Sequence, residues 1–303
     1  MVRIIGFLIG LGFAGVLLIS LVVNLVGYIQ SPAEATAEQK FHEHPKHLKL
    51  QSDGPFGTFD RQQLQRGLQV YKEVCAACHS LNLVSFRDLH QLGYNEAEVK
   101  AFAAQFENVP SINPDTGEPA LRKGIPSDKF PSPFANETAA RAANNNALPP
   151  DLSLMAKARE GGPAYIYSLL TGYKQQPAEL LAKFPGAKTP QGLHYNPYFA
   201  NLNIAMAPPL TADGQVTYAA GNPPATVDQM AKDVAAFLLW TAEPNLQGRH
   251  KGGVAVLIFL IVATVLGYMS YRNIWAEAKR KVAPAAQGTP KRARSTKKAG
   301  TAS

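Results

Sequence analysis

Cysteine is almost missing from this chain: there are two in 303 residues, at positions 75 and 78. Two thiols cannot supply a disulfide framework. They also fall short of the four ligands of a structural zinc site, because no second Cys or His pair stands at suitable spacing. A thioredoxin-like dithiol needs a βαβ setting, and no convincing alternating strand series appears. An excess of charge is missing over most of the length as well. Residues 272–303 carry nine Lys/Arg against Glu277 alone, which equals the +8 of the whole chain, so everything before residue 272 sums to zero. The basic excess sits in a Pro/Ala/Lys tail with no aromatic residue after Trp275, which argues against a nucleic-acid surface.

What is present is Cys75-Ala76-Ala77-Cys78-His79. Two thiols at this spacing followed at once by a histidine form the attachment signature of a covalent c-type haem. Each thiol can add to one vinyl group of a rigid ring, and a helical turn starting here puts His79 beneath the iron as its proximal ligand.

Long apolar runs lie at both ends. Ile4 to Ile29 is uncharged, preceded by Arg3 and followed by Ser31-Pro32-Ala33-Glu34-Ala35-Thr36-Ala37. Residues 1–37 read as a signal peptide or an uncleaved N-terminal anchor: the length suits a bilayer span, and the Ala-x-Ala pairs at 33/35 and 35/37 suit cleavage. Residues 252–271 are 20 uncharged positions with Tyr268, Tyr271 and Trp275 near one boundary, and they read as a transmembrane helix. Residues 272–303 then form a basic tail on the cytoplasmic side of the membrane, disordered from 282 onward, with a haem domain at 38–251 on the opposite, periplasmic side.

Within that domain the spacing predicts helices. Asp60 with Gln63 marks a start, followed by Leu64, Leu68 and Tyr71 with Gly67 on the same side. A second helix starts at Thr226 with Gln229 and presents Val227, Met230, Val234, Phe237 and Leu238 as far as Trp240, ending at Glu243-Pro244. A glycine on the first would let the second approach closely. Asp151–Arg159 and Pro163–Leu170 read as shorter helices, and residues 108–150, rich in Pro, Asn, Ser and Gly, as loop.

A haem with one histidine needs a sixth ligand or stands open to small molecules. Met206 is the first candidate, since Met206-Ala207-Pro208-Pro209 cannot be helical and the prolines stiffen the loop. Met155, in a short helix, is next, while Met230 belongs to an apolar stripe and reads as core. His42, His44 and His47 read as a solvated linker, with no carboxylate or cysteine framework around them. An open-site haem enzyme or sensor, and the haem c subunit of a terminal oxidase or nitric oxide reductase, are the competing classes.

The ordered set of segments is more specific than the haem motif. Arg66-Gly67-Leu68-Gln69-Val70-Tyr71 leads into Cys75–Ser80, followed by Ala140-Arg141-Ala142-Ala143-Asn144-Asn145 and Leu148-Pro149-Pro150-Asp151-Leu152-Ser153. Tyr167–Tyr173, Asn196-Pro197-Tyr198-Phe199, Met206–Leu210, Pro224–Val227 and Trp240–Pro244 complete it. From about Gly54 to Lys281 the chain resembles the cytochrome c1 family, the haem-bearing subunits of cytochrome bc1 (ubiquinol–cytochrome c reductase) complexes. The resemblance implies a mainly α, c-type cytochrome fold with long loop insertions and one C-terminal transmembrane helix. It implies one covalent haem c with His79 and Met206 as axial ligands, Arg141 near a propionate, and Pro150 and Leu152 packing against the ring. A guanidinium fork suits a buried carboxylate, although an arginine beside an Asn-rich loop is also an ordinary surface residue. It further implies cytochrome b, a Rieske iron–sulfur protein and a cytochrome c acceptor as partners in a dimeric, multi-subunit complex of the bacterial inner membrane. The chain would relay electrons and perform no substrate chemistry of its own. No additional cysteine pair is present, although some bacterial members carry one.

Overall fold

Asp60 ends an extended stretch with a carboxylate that accepts from the backbone N–H groups of Gln62 (3.0 Å) and Gln63 (3.3 Å), and a helix starts there. The structure is a computed structural model that describes residues 2–30 and 34–286. Among the described residues ten α-helices run in the order α1 (Val2–Gln30), α2 (Ala37–Phe41), α3 (Arg61–Glu73), α4 (Glu96–Ala103), α5 (Glu137–Ala143), α6 (Met155–Ala158), α7 (Gly162–Leu170), α8 (Ala178–Lys183), α9 (Val227–Ala242) and α10 (Leu246–Ala286). Four short strands accompany them: β1 (Val109–Ile112), β2 (Pro119–Arg122), β3 (His194–Tyr195) and β4 (Asn203–Ile204). Both sheets are two-stranded antiparallel hairpins, β1 with β2 and β3 with β4.

The central packing is α3 against α9. Leu64, Leu68, Val70 and Tyr71 of α3 are buried with Met230, Val234, Phe237 and Trp240 of α9 in one apolar core. The glycine expectation holds in its strictest form: a Cβ at Gly67 would stand 2.2 Å from the Asp233 carbonyl oxygen and 2.6 Å from Phe237 Cβ. Beside this contact Arg66 grips Asp233 through two parallel bonds, Nε to Oδ2 at 2.8 Å and Nη2 to Oδ1 at 3.1 Å, with the carboxylate fully buried. Gln229 was expected to close the cap of α9. Thr226 Oγ1 does accept from Gln229 N (3.1 Å), but the Gln229 side chain donates to Asp233 (2.8 Å) and serves the ion pair. Helices α6 and α7 pack on α9 and on each other.

Several local readings need correction. Residues 108–150 hold the β1–β2 hairpin and α5 as well as loop, because a four-residue strand and a seven-residue helix carry too little periodicity to show through the Pro and Asn content. The helix expected over Asp151–Arg159 shrinks to α6, since Asp151 spends its carboxylate on other backbone groups. Helix α10 exceeds 252–271 at both ends and continues through residues 282–286, which were expected to be disordered. The rest of the tail, 287–303, and Ala33 of the first Ala-x-Ala pair lie outside the described residues.

The chain divides into two units, Met1–Gln51 with Phe59–Pro244 and Ser52–Thr58 with Asn245–Ser303. The first holds α1 to α9 and every strand. In the second, His250 Nδ1 lies 3.3 Å from the Gly57 carbonyl oxygen at the start of α10. Helices α1 and α10 are both long and apolar enough to cross a membrane, and apart from the buried Leu246 most of their large apolar side chains are exposed.

Candidate haem site

Helix α3 ends at Glu73, and the chain tightens into a 3-10 turn over Cys75–Ala77. The backbone N–H groups of Cys78 (3.1 Å) and His79 (2.9 Å) both donate to the Cys75 carbonyl, so the two thiols and the imidazole come off one turn that continues a packed helix. Burial, and after it the neighbouring Cys78, pushes the Cys75 thiol up to about 12. That disfavours the free thiolate on which a redox dithiol depends.

His79 is held on two sides. Its Nδ1 lies 2.7 Å from the Pro150 carbonyl oxygen, and its own carbonyl accepts from the Tyr71 hydroxyl at 3.1 Å. A carbonyl only accepts, so Nδ1 carries the proton and Nε2 is left with the lone pair a metal requires. Burial lowers the His79 pKa below the ordinary histidine range, outweighing the opposite effects of the Pro150 carbonyl and Asp151. That favours the neutral ring, the form that ligates.

Residues 150–153 strap this turn down. Asp151 Oδ2 accepts from Ser80 Oγ (2.9 Å) and Asn82 N (2.8 Å), and Oδ1 accepts from Ser153 N (2.9 Å). Leu152 N donates to the Ser80 carbonyl (3.0 Å), Ser153 Oγ accepts from Leu83 N (3.0 Å), and the Leu152 side chain is buried in the main core. Burial raises the Asp151 pKa, but its hydrogen-bond donors lower it further, so the carboxyl lies below the ordinary carboxylate range. Sequence reasoning missed Asp151. The available signal was Asp151 two residues before Ser153, a spacing at which an aspartate bonds forward to backbone instead of starting a helix.

Met206 follows β4 on a non-helical loop and is half-buried. Its carbonyl accepts from the Tyr173 hydroxyl at 3.0 Å. Tyr173 lies just past α7, α7 packs on α9, and α9 packs on α3, so the His79 and Met206 segments hang on one framework. Met155, the alternative, begins α6 and packs on the core, and Met230 is fully buried in it. Arg141 lies exposed on α5, where its Nη1 donates to the Asn146 carbonyl (3.2 Å), and it lines an open surface concavity with Thr138, Ala142, Asn145 and Asn146. Among the described residues no cluster of His, Cys, Asp or Glu could hold a metal ion, His42, His44 and His47 included.

The donor set fits an iron porphyrin. An imidazole with a fixed tautomer and a loop thioether suit low-spin haem iron, and paired thiols beside the imidazole suit the two vinyl groups. The cytochrome C1 family model matches residues 50–278. A mitochondrial cytochrome c1 haem protein of Arabidopsis thaliana is 43% identical over 272 residues, covering 88% of this chain and 85% of that protein. The cytochrome c1 of Rhodospirillum rubrum is 46% identical over 235 residues, 75% and 85% of the two chains. A cytochrome b/c1 of Bradyrhizobium diazoefficiens is 44% identical over 86% of this chain, which spans only 39% of that longer protein. The chain belongs to the cytochrome c1 family, mainly helical, membrane-anchored proteins that carry a covalent haem c, and its Cys75 and Cys78 stand in the position expected of the attachment motif.

Proposed function

We propose that this haem c subunit of a cytochrome bc1 complex accepts single electrons from a Rieske iron–sulfur protein and hands them to a cytochrome c, in a dimeric assembly with cytochrome b. Haem c supplies the one-electron chemistry, and the chain's residues set its terms. The observation that carries this reading is the His79–Pro150 bond, because it fixes the imidazole on Nε2 as a permanent ligand. Met206 would hold the iron together with His79, and a thioether would favour the reduced iron, which suits a late carrier of high potential. Pro150 and Leu152 would pack against the ring, and Arg141 would pair with a propionate.

The basic residues 272–303 stay in the cytoplasm and the haem domain faces the periplasm. Protease added to intact spheroplasts should digest the haem domain and spare a tag at Ser303; loss of the tag first reverses this orientation. The relay itself is tested by mixing ubiquinol with the tagged, purified complex. The c-type haem should be reduced only when the Rieske subunit is present, and equal reduction without that subunit removes the proposed donor.

A further inference from the structure

A ligand on a loop is only as well placed as its main chain. Pro208 and Pro209 restrict the loop after Met206, but restriction alone does not tie it to the rest of the protein. Gln215 Nε2 donates to the Pro209 carbonyl (2.8 Å) further along the loop, and two more ties run to the C-terminal end of α7 and the residues just past it. Asn196, fully buried, donates from Nδ2 to the Leu169 carbonyl (2.8 Å) and from its backbone N–H to the Leu202 carbonyl (2.8 Å), which closes the β3–β4 hairpin. Leu202 itself adopts φ +64°, a left-handed conformation that a leucine enters only when its surroundings impose it, and it is 2% exposed. The second tie lies beyond the hairpin and reaches the ligand residue itself, from the Tyr173 hydroxyl to the Met206 carbonyl at 3.0 Å. The Tyr173 ring also meets His194 of β3 edge-on, with centroids 6.5 Å apart and planes at 74°.

We propose that Tyr173 is a positioning residue for the axial methionine: its hydroxyl pins the Met206 main chain to the end of α7, and through α9 to the helix that leads into Cys75, Cys78 and His79. This rests on Met206 being the sixth ligand. The phenol suits the task, since it faces a carbonyl oxygen that can only accept, so the hydroxyl is the donor. A tyrosine that merely filled space would lose nothing on removal of its oxygen. If the hydroxyl positions the ligand, the same change lets Met206 leave the iron more often, and an external ligand binds better in proportion to the methionine-off population.

The test compares Tyr173→Phe with Tyr167→Phe in the purified complex. Tyr167 is an α7 tyrosine whose hydroxyl bonds to Asp228, away from the ligand loop. The readouts are imidazole affinity of the ferric haem and the far-red charge-transfer band of methionine-ligated iron. Loss of one hydrogen bond should raise imidazole affinity roughly three- to tenfold in Tyr173→Phe and weaken the band, with Tyr167→Phe unchanged. Wild-type affinity in Tyr173→Phe, or an equal rise in both variants, overturns the proposal. If Tyr173→Phe accumulates no haem protein, an amide-to-ester replacement of Ala207 weakens the Met206 carbonyl as acceptor and leaves Tyr173 in place. It should raise imidazole affinity in the same direction, and no rise overturns the proposal. Met206→Leu separates the two levels. A surviving methionine band there sinks the ligand assignment, whereas its loss there beside a wild-type Tyr173→Phe sinks only the positioning role.

Discussion

Replacing Gly67 by alanine adds one methyl group at the closest point of the α3–α9 crossing. Helix propensity alone favours the change by about 1 kcal/mol. The packing opposes it, because the new Cβ would lie 2.2 Å from the Asp233 carbonyl oxygen where ordinary contact begins at 3.4 Å. The obstacle is backbone and cannot rotate away, so the helices must part by roughly 1 Å, in a core that resists such shifts at a cost of about 1–3 kcal/mol. The displaced residue is also the partner of Arg66, and distortion of that buried pair adds part of the ~3–5 kcal/mol at stake in such pairs. A net loss of about 2–4 kcal/mol should lower the unfolding temperature by roughly 5–15 °C in a domain of this size. The assay is thermal unfolding of the haem-loaded protein at one scan rate, followed by the Soret band. Gly248→Ala serves as the control, since no atom lies within 4 Å of a Cβ there. A Gly67→Ala protein that unfolds at or above the wild-type temperature refutes the close-crossing reasoning.

Two further outcomes follow from buried charge. Arg66→Met leaves Asp233 buried without its guanidinium and should cost about 3–5 kcal/mol, whereas Arg66→Met with Asp233→Leu should recover most of that loss. A double mutant whose loss equals the sum of the singles, measured by denaturant unfolding, contradicts the pairing. Asp151, with its folded pKa below the ordinary carboxylate value, contributes stability that is complete above about pH 4 and vanishes as pH falls through the lower folded value. Asp151→Asn should therefore be less stable at neutral pH with a shallower acid-unfolding limb, and an acid limb identical to wild type removes Asp151 from the strap.

The parts of the fold legible in the sequence were those set by local period and local capping. Asp60, Thr226 and the apolar spacings on either side of Gly67 announce α3 and α9, and even the closeness of their crossing. The haem turn was legible for the same reason, being five consecutive residues. The Pro150 carbonyl that orients His79 was not, because a main-chain acceptor leaves no mark in residue identity; Pro150 was read as a packing residue only. Asp151 was read as a helix start because an aspartate that caps a helix and one that binds a neighbouring strap look alike until the strap is placed. The role of Tyr173 leaves no mark in the sequence, since its partner is a backbone oxygen 33 residues away.

The most direct test of the central claim is the spectrum and midpoint potential of Met206→Leu in the purified complex. If His79 and Met206 are the axial pair, the haem stays attached through Cys75 and Cys78, becomes high-spin, loses the methionine band and drops in potential by on the order of 100 mV. A low-spin haem with the wild-type band and potential would show that Met206 does not bind the iron.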